Sequence, residues 1–323
     1  MVKIGPVEIP TNIFLSPLAG VSDLSFRLIS REHGAKFCFY EMVDSNSLVH
    51  GSGKDKDILK THPKDSPIAA QILGGDQDKT LKAAEILREK VEPAFIDLNA
   101  ACPAKKVIKK QAGAHLLRDL PRLEAIIKSL SSRLNLPVTV KIRIGYDQLD
   151  FKALVELAKV CQGSGAAALF VHGRTRKQMY AGEVNYEAIK LVKQTVNIPV
   201  FGSGDILSAQ LAGKMLDLTV CDGVFVARGA IGYPWIFKEI EDYFKTGKIP
   251  PAVTFAQKKK VLKQHLLYMQ KYKESRLTKI IGLMRRITLS YLKSLPEAKR
   301  LRQKITSTKT HAELLDVIES IKS

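Results

Sequence analysis

The chain lacks several features that would each have set its class. No stretch of its 323 residues approaches the roughly 18 continuous apolar residues that a membrane-spanning helix needs, so no membrane association is expected. The opening MVKIGPVEIP has no apolar core of the signal-peptide kind, and a soluble, cytoplasmic protein is the expectation. Cysteine is scarce: Cys38, Cys102, Cys161 and Cys221 stand about sixty residues apart, and none belongs to a CxxC pair. Neither a disulfide framework nor a metal site is expected from such spacing. Low-complexity tracts are missing too, which excludes a chain that stays disordered.

Acidic residues are in deficit, with 32 Asp and Glu against 51 Lys and Arg, for a net charge of +19. Residues 241–323 hold 19 basic and 7 acidic residues, so +12 of that charge sits on the last 83 positions. A basic segment on a more nearly balanced body is the pattern of a nucleic-acid or anionic surface. Its plainer alternative is a well-solvated helical surface.

With 45% hydrophobic and 26% charged residues the composition is that of a globular protein. From residue 12 to about 237 one rhythm repeats: a short β-branched run, a turn, then ten or more residues at helical spacing. The expected strands are 13–16, 36–42, 67–72, 94–99, 137–144, 167–172, 198–202 and 222–227. Eight strands alternating with helices imply a parallel sheet closed as a (β/α)8 TIM barrel, with an open doubly wound sheet as the alternative. The segments LKAAEILREKV (81–91) and LEAIIKSLSSRL (123–134) carry apolar residues at the spacings of core-facing helices. After Trp235 the strands stop, and 255–293 and 311–322 read as helices, interrupted at TGKIPP (246–251) and LPEAK (295–299). The expected division is therefore a barrel over 1–241 and a small, basic, all-helical domain over 242–323.

A parallel barrel does its chemistry at the C-terminal ends of its strands, where the loops share one open face. Those ends are polar or glycine here: Ser16-Pro17, Glu41, Gln71, Asn99 with Cys102 beyond it, Lys141 and Arg143, His172 followed by Arg174 and Arg176, Gly202-Ser203-Gly204-Asp205, and Arg228-Gly229. A barrel used only as scaffold would have no need of them, because buried polar groups cost stability unless paired. The glycines of FGSGDI (201–206) allow close approach to a ligand, and the backbone N–H groups there can face an anion. In VARGAIGYPWIF (226–237), Arg228 and Gly229 read as the opening of a helix whose N-terminus favours negative charge. Loops after strands seven and eight commonly hold a phosphate in such barrels.

Lys141 sits inside the β-branched run PVTVKIRIG (137–145), where an unpartnered ammonium would be costly, so an electron-rich ligand over it is expected. Together with the two glycine loops it suggests a cofactor with one phosphate and a polarisable ring. Flavin mononucleotide (FMN) is the economical candidate, with Lys141 near its N1–C2 carbonyl edge. Cys102, in LNAACPAKKV (98–107), lies in a loop and reads as ligand-facing, whereas Cys38, Cys161 and Cys221 read as core residues. A thiol of ordinary acidity is mostly protonated at neutral pH and suits a proton donor better than a metal ligand.

The blocks SPLAGVSDLSFR (16–27), EMV (41–43), Gln71 in AAQILGG, IDLNAACPAKKV (96–107), PVTVKIRIG, VHGRTRKQMYAG (171–182), FGSGDI and RGAIGYPWIF resemble the tRNA-dihydrouridine synthases, in the family's order and over most of residues 12–237. The resemblance implies an FMN-bound barrel that uses NADPH to reduce the C5=C6 bond of a uridine in tRNA. It implies Cys102 as the acid that protonates C5. Flavin contacts would come from Ser16, Pro17, Leu18, Gln71, Lys141, His172, Gly202, Ser203, Gly204, Asp205, Ala227, Arg228 and Gly229. Asn99, Arg143, Arg174 and Arg176 would hold the uridine. Lys271, Lys273, Arg276, Lys279, Arg285 and Arg286 of the helical tail would contact tRNA, helped by Lys105, Lys106, Lys109 and Lys110 beside the cysteine. The chain departs from the family's commoner residues at Ala101, Ser203 and Ala227, each of which stays small. A monomer is expected. The rival readings are an FMN barrel acting on a free pyrimidine, as dihydroorotate dehydrogenases do, and an RNA-binding barrel without catalysis.

Overall fold

Side chains of a strand point alternately to its two faces, so a barrel built of short β-branched runs has one apolar side for its helices and one for its interior. The computed structural model of the chain, which describes residues 1–51, 57–273, 277–293 and 298–321, shows this arrangement. Eight parallel strands, Ile13–Leu15, Phe37–Phe39, Ile68–Leu73, Ile96–Ala100, Val138–Arg143, Ala168–His172, Val200–Ser203 and Gly223–Val226, pair in chain order, and the last pairs with the first to close the ring. All eight fall on the expected runs. A (β/α)8 barrel results, and the open sheet is excluded by the closing pair Val224–Ile13.

The helices start where the sequence supplies an N-cap. Asp23, Asp76, Asp119, Asp150, Asn185 and Ser208 each accept a backbone N–H of the first turn of Leu24–Glu32, Gln77–Val91, Leu120–Arg133, Phe151–Gly163, Tyr186–Thr195 and Ala209–Thr219. Outward strand residues such as Ile72, Leu98, Val140 and Val171 meet the buried faces of these helices in one large core.

Inside, the lower level is aromatic. Phe14, Phe37, Phe39, Phe95, Phe170, Phe201 and Phe225 are buried together, with Phe170 at 4.4 Å from Phe225 and 4.8 Å from Phe201 between ring centroids. Beneath them Ile4 and Ile9 join the same cluster, contributed by a hairpin of Val2–Ile4 and Val7–Ile9 that plugs the N-terminal end. The sequence reading had passed over this hairpin: two three-residue strands are too short to show a period. Gly5 turns it at φ +56°, with Pro137 pressed against the place a Cβ would take.

The tail is helical as expected, in Phe255–Tyr272, Leu277–Tyr291, Ala298–Ser307 and His311–Glu319. The third of these was not foreseen. Leu262, Leu266, Met284, Ile287, Ile305, Leu314 and Ile318 form an apolar cluster of their own. The expected division near 242 falls inside the helix Ile236–Thr246, which ends at Gly247 in a left-handed conformation. The tail packs on Leu24–Glu32, where Phe26 meets His265 and the Tyr268 hydroxyl donates to Glu32 Oε1 at 2.6 Å. Among the described residues no helix is long and apolar enough to cross a membrane.

The aromatic floor carries the barrel's stability. We expect Phe170→Ala to lower the unfolding free energy by about 4 kcal/mol, as cavity formation at a buried aromatic does, in a urea titration followed by circular dichroism.

Candidate active site

Above the aromatic level the inward positions turn polar. Phe95, just before strand four, and then Asp97 and Asn99 on it point inward in succession, as do Thr139, Lys141 and Arg143 on strand five and Phe170 and His172 on strand six. At the C-terminal end of the barrel these open into a cavity lined by Ser16, Pro17, Leu18, Gln71, Asn99, Cys102, Lys141, Arg143, His172, Ser203, Gly204, Asp205, Ala227 and Arg228. Nearly all the residues expected around a cofactor thus share one wall-to-wall site. Met42, Tyr180, Leu207 and Phe225 also line it, and the sequence reading had not singled them out.

Lys141 occupies the floor. Its ammonium lies 5.8 Å from the Phe225 ring centroid and has no hydrogen-bond or ion-pair partner among the described residues. Burial, with Arg143 beside it, lowers its pKa to about 8 against the opposing pull of Asp97. His172 is buried on the next strand with Nε2 unpartnered. Burial first, then the charges of Lys141, Arg143, Arg174 and Arg228, push its pKa well below the usual value, so it is neutral at physiological pH. A cation and an imidazole nitrogen without protein partners, on one cavity floor, fit an electron-rich polar ring.

Cys102 lines the same cavity from a loop held from two sides. Its N–H and that of Ala101 donate to Asn99 Oδ1 at 2.8 and 3.0 Å, and its carbonyl accepts from Ala114 at 3.1 Å. Gly113, at φ +62°, packs so closely that a Cβ there would sit 2.8 Å from the Cys102 oxygen. Arg143 Nε donates to Ala101 O at 2.8 Å, while its Nη1 donates to Thr175 O and Met179 O, so it ties the cysteine loop to the loop after strand six. The other three cysteines are buried.

Several expected site residues lie elsewhere. Gly202 points outward and is required by packing, because a Cβ would come within 2.6 Å of Met215 Sδ; Gly229 sits 2.2 Å by the same measure from Ile206 O. Neither lines the cavity. Arg228 and Gly229 do not open a long helix but a single 3-10 turn, Arg228–Ala230, since Gly232, Pro234 and the strand end leave no room for more. Arg174 is buried beneath the rim: it donates to Gly182 O and pairs with Asp205, whose other oxygen takes Arg228. Those two guanidiniums hold the Asp205 carboxyl below its usual range, the hydrogen bond from Arg174 counting most. Arg176 lies over Tyr146 at 5.0 Å and also stays outside the cavity.

In the tail, Lys273 is only 8% exposed and binds Asp23 at 2.7 Å. Arg286 donates to Gly20 O, and Arg285 donates to Thr308 O inside the tail. Two of the residues expected on tRNA therefore strap the loop 16–23, whose Gly20 N–H is accepted from below by the buried Glu41. Burial raises the pKa of that carboxyl. Lys271 is exposed, as are Lys105, Lys106, Lys109 and Lys110 beside Cys102, with Lys110 paired to Asp44. Arg276 and the side chain of Lys279 lie outside the described residues.

Residues 14–323 match the family model described as dihydrouridine synthase. The chain is 38% identical over 302 residues to tRNA-dihydrouridine synthase B of Pseudomonas aeruginosa, covering 94% of this chain and 90% of that one. The same enzyme of Pseudomonas putida is 41% identical over 266 residues, 82% and 78% of the two chains. The chain belongs to the dihydrouridine synthase family. Among solved structures, the old yellow enzyme homologue from Zymomonas mobilis superposes on this dihydrouridine synthase with a TM-score of 0.55 over 80% of this chain and 94% of that one, at 12% identity. Histamine dehydrogenase from Rhizobium sp. 4-9 gives 0.57 over 83% and 50%, at 13% identity. These are likenesses of the barrel fold.

The strap also sorts the tail's cations. Lys273→Ala leaves Asp23 buried without its partner, and we expect a loss of about 3 kcal/mol in the synthase's unfolding free energy, against under about 0.5 kcal/mol for the exposed Lys271→Ala, by denaturant unfolding of both variants.

Proposed function

We propose that this synthase reduces the C5=C6 bond of specific tRNA uridines to 5,6-dihydrouridine, with FMN bound over Lys141 and Cys102 as the proton donor. The observation that carries the reading is that Cys102 and Lys141, far apart in sequence, line the same cavity. Family membership and the near full-length relatives named as tRNA-modifying enzymes favour tRNA over a free pyrimidine.

Ser16, Pro17, Leu18, Gln71, Lys141, His172, Ser203, Gly204, Ala227 and Arg228 would hold the flavin. When bound and reduced, for which NADPH is the proposed reductant, the flavin would supply the hydride that adds to C6 of the uracil. Lys141 would offset negative charge on the bound ring, and the neutral His172 would offer its unpartnered Nε2 as a hydrogen-bond partner. Cys102 delivers a proton to C5, leaving a thiolate that solvent reprotonates, so one hydride and one proton saturate the double bond. Asn99 and Arg143 border the same space and would orient the base. Arg174 and Arg176 act behind the rim, shaping the loop after strand six.

The uridine must leave its stack to reach this cavity, at a cost of a few kcal/mol. Exposed Lys105, Lys106 and Lys109 beside the mouth, and Lys271 on the tail, are the cations available to offset it through phosphate contacts. Residues 242–323 would thus serve as the tRNA-facing domain.

Cys102→Ala should bind FMN normally but lose at least about 100-fold in single-turnover oxidation of the prereduced enzyme by tRNA. Full retention of that rate would overturn the assignment. Because the Lys141 ammonium deprotonates near pH 8, FMN affinity of the apo-protein should fall by up to about tenfold between pH 7 and pH 9, and Lys141→Met should abolish the dependence, as read from flavin fluorescence quenching.

A further inference from the structure

A line of side-chain hydrogen bonds runs from the barrel interior to the cysteine loop. The Thr139 hydroxyl donates to Asp97 Oδ1 at 2.6 Å, and Gln71 Nε2 donates to Asp97 Oδ2 at 2.7 Å. Asn99 Nδ2 donates to Gln71 Oε1 at 2.8 Å. The N–H groups of Ala101 and Cys102 then donate to Asn99 Oδ1. Every bond points the same way, toward the carboxylate.

The direction has a physical cause. A primary amide can sit either way round, because it carries a donor and an acceptor of nearly equal size. An ionised carboxylate only accepts and a backbone N–H only donates. With Asp97 at one end and the loop at the other, Gln71 and Asn99 have one orientation that leaves no pair of donors or acceptors facing each other. The segment between the two ends is buried, where an unmade hydrogen bond is costly.

We propose that Asp97 is the positioning residue for Cys102: its carboxylate sets the direction of the Gln71–Asn99 amide chain, and that chain holds the loop that carries the thiol. Asp97 does not border the cavity, so it would act on the thiol through the amide chain and not by contact with substrate or cofactor. The assignment rests on Cys102 being the proton donor. It has a corollary for recognition. Both lone-pair positions of Asn99 Oδ1 are taken by the loop, and its second N–H meets only the weak acceptor Met42 Sδ at 3.5 Å. Asn99 therefore has a donor and no acceptor left for the base, which selects a ring carbonyl over a ring amine.

Asp97 serves this role at a cost. Burial raises its pKa to about 6 from an ordinary 3.8, against the favourable bonds from Thr139 and Gln71 and the charge of Lys141 on the adjacent strand, the charged group acting on it; Arg143 and His172 occupy the level above. The folded chain thus holds this proton more tightly than the unfolded one, so the contribution of Asp97 to stability falls as pH rises from about 4 to about 6. Asn at this position avoids that loss and, having a donor as well as an acceptor, no longer dictates the amide direction.

Cys38, Cys161 and Cys221 are buried, so alkylation of the native, flavin-loaded protein by iodoacetamide at pH 8, read by mass spectrometry at each cysteine, isolates Cys102. Asp97→Asn is expected to match or exceed the wild-type melting temperature while Cys102 alkylation rises about fivefold and the three buried cysteines stay unreacted; Asp97→Leu, which leaves the Thr139 hydroxyl and the Gln71 amide without an acceptor, is expected to melt lower. Unchanged Cys102 alkylation in Asp97→Asn overturns the proposal, as does a rise accompanied by a lower melting temperature or by reaction of the buried cysteines. If Asp97→Leu does not fold, Asp97→Asn decides alone. The measurement uses neither tRNA nor NADPH, so it fails independently of the reductase reading, which Cys102→Ala tests.

Discussion

Each strand of this barrel can send only every second side chain inward, and a strand of three to six residues therefore offers one to three inward positions. The whole molecule is organised around how those positions are divided. Below, phenylalanines and the isoleucines of the N-terminal hairpin fill the interior with large side chains that need no partners. Above them, starting with Asp97 and Thr139, most inward positions are polar. The lower level lets the upper one exist: with the barrel sealed from beneath, polar groups above it meet one another or whatever enters from the open face, and never bulk water from behind.

The upper level carries more positive than negative charge. Lys141, Arg143 and Arg228 border the cavity, with Arg174 just behind it, while Asp205 and the deeper Asp97 supply the carboxylates. Asp205 is already shared by two arginines. Burial is the main reason that Lys141 and His172 both shift downward, and like charges held this close lower their proton affinity further. Such a site is stable only in proportion to the anion or electron-rich ring that completes it. That same deficit makes it selective, because a cationic or electron-poor ligand would add to the repulsion.

Strand positions were legible in the sequence because β-branched runs bounded by Gly, Pro and Asp repeat eight times, and the polar residue ending each run marked the cavity rim. Ser16, Gln71, Asn99, Cys102, Lys141, His172 and Ser203 all came from that one rule. The rule could not separate the two faces at a strand's last residues. Gly202 obeys the alternation and turns outward to Met215, while Ser203 and Gly204 face in. Tyr180 was missed because it belongs to no strand: its loop is brought to the mouth by Arg143 and Arg228, which lie 5.9 and 4.9 Å from its ring, and nothing local announces that contact. Asp97 was visible as an acid in an apolar run, IDLNA, but its partners Gln71 and Thr139 are 26 and 42 residues away.

The tail shows where counting charge stops being informative. Its +12 suggested a surface for phosphates, yet the number says nothing about which cations reach the surface. Lys273 turns inward to Asp23, Arg286 reaches Gly20 from an exposed position, and Arg285 binds a carbonyl of its own helical cluster. The loop they strap carries Ser16, Pro17 and Leu18 into the cavity. An arginine or lysine aimed at a backbone carbonyl or a buried carboxylate satisfies a local polar group and is no longer free for a distant phosphate. The helical tail therefore acts on the cavity through ordinary packing as well as through any polyanion it meets, and its basic residues divide between those two tasks according to which side of each helix faces the barrel.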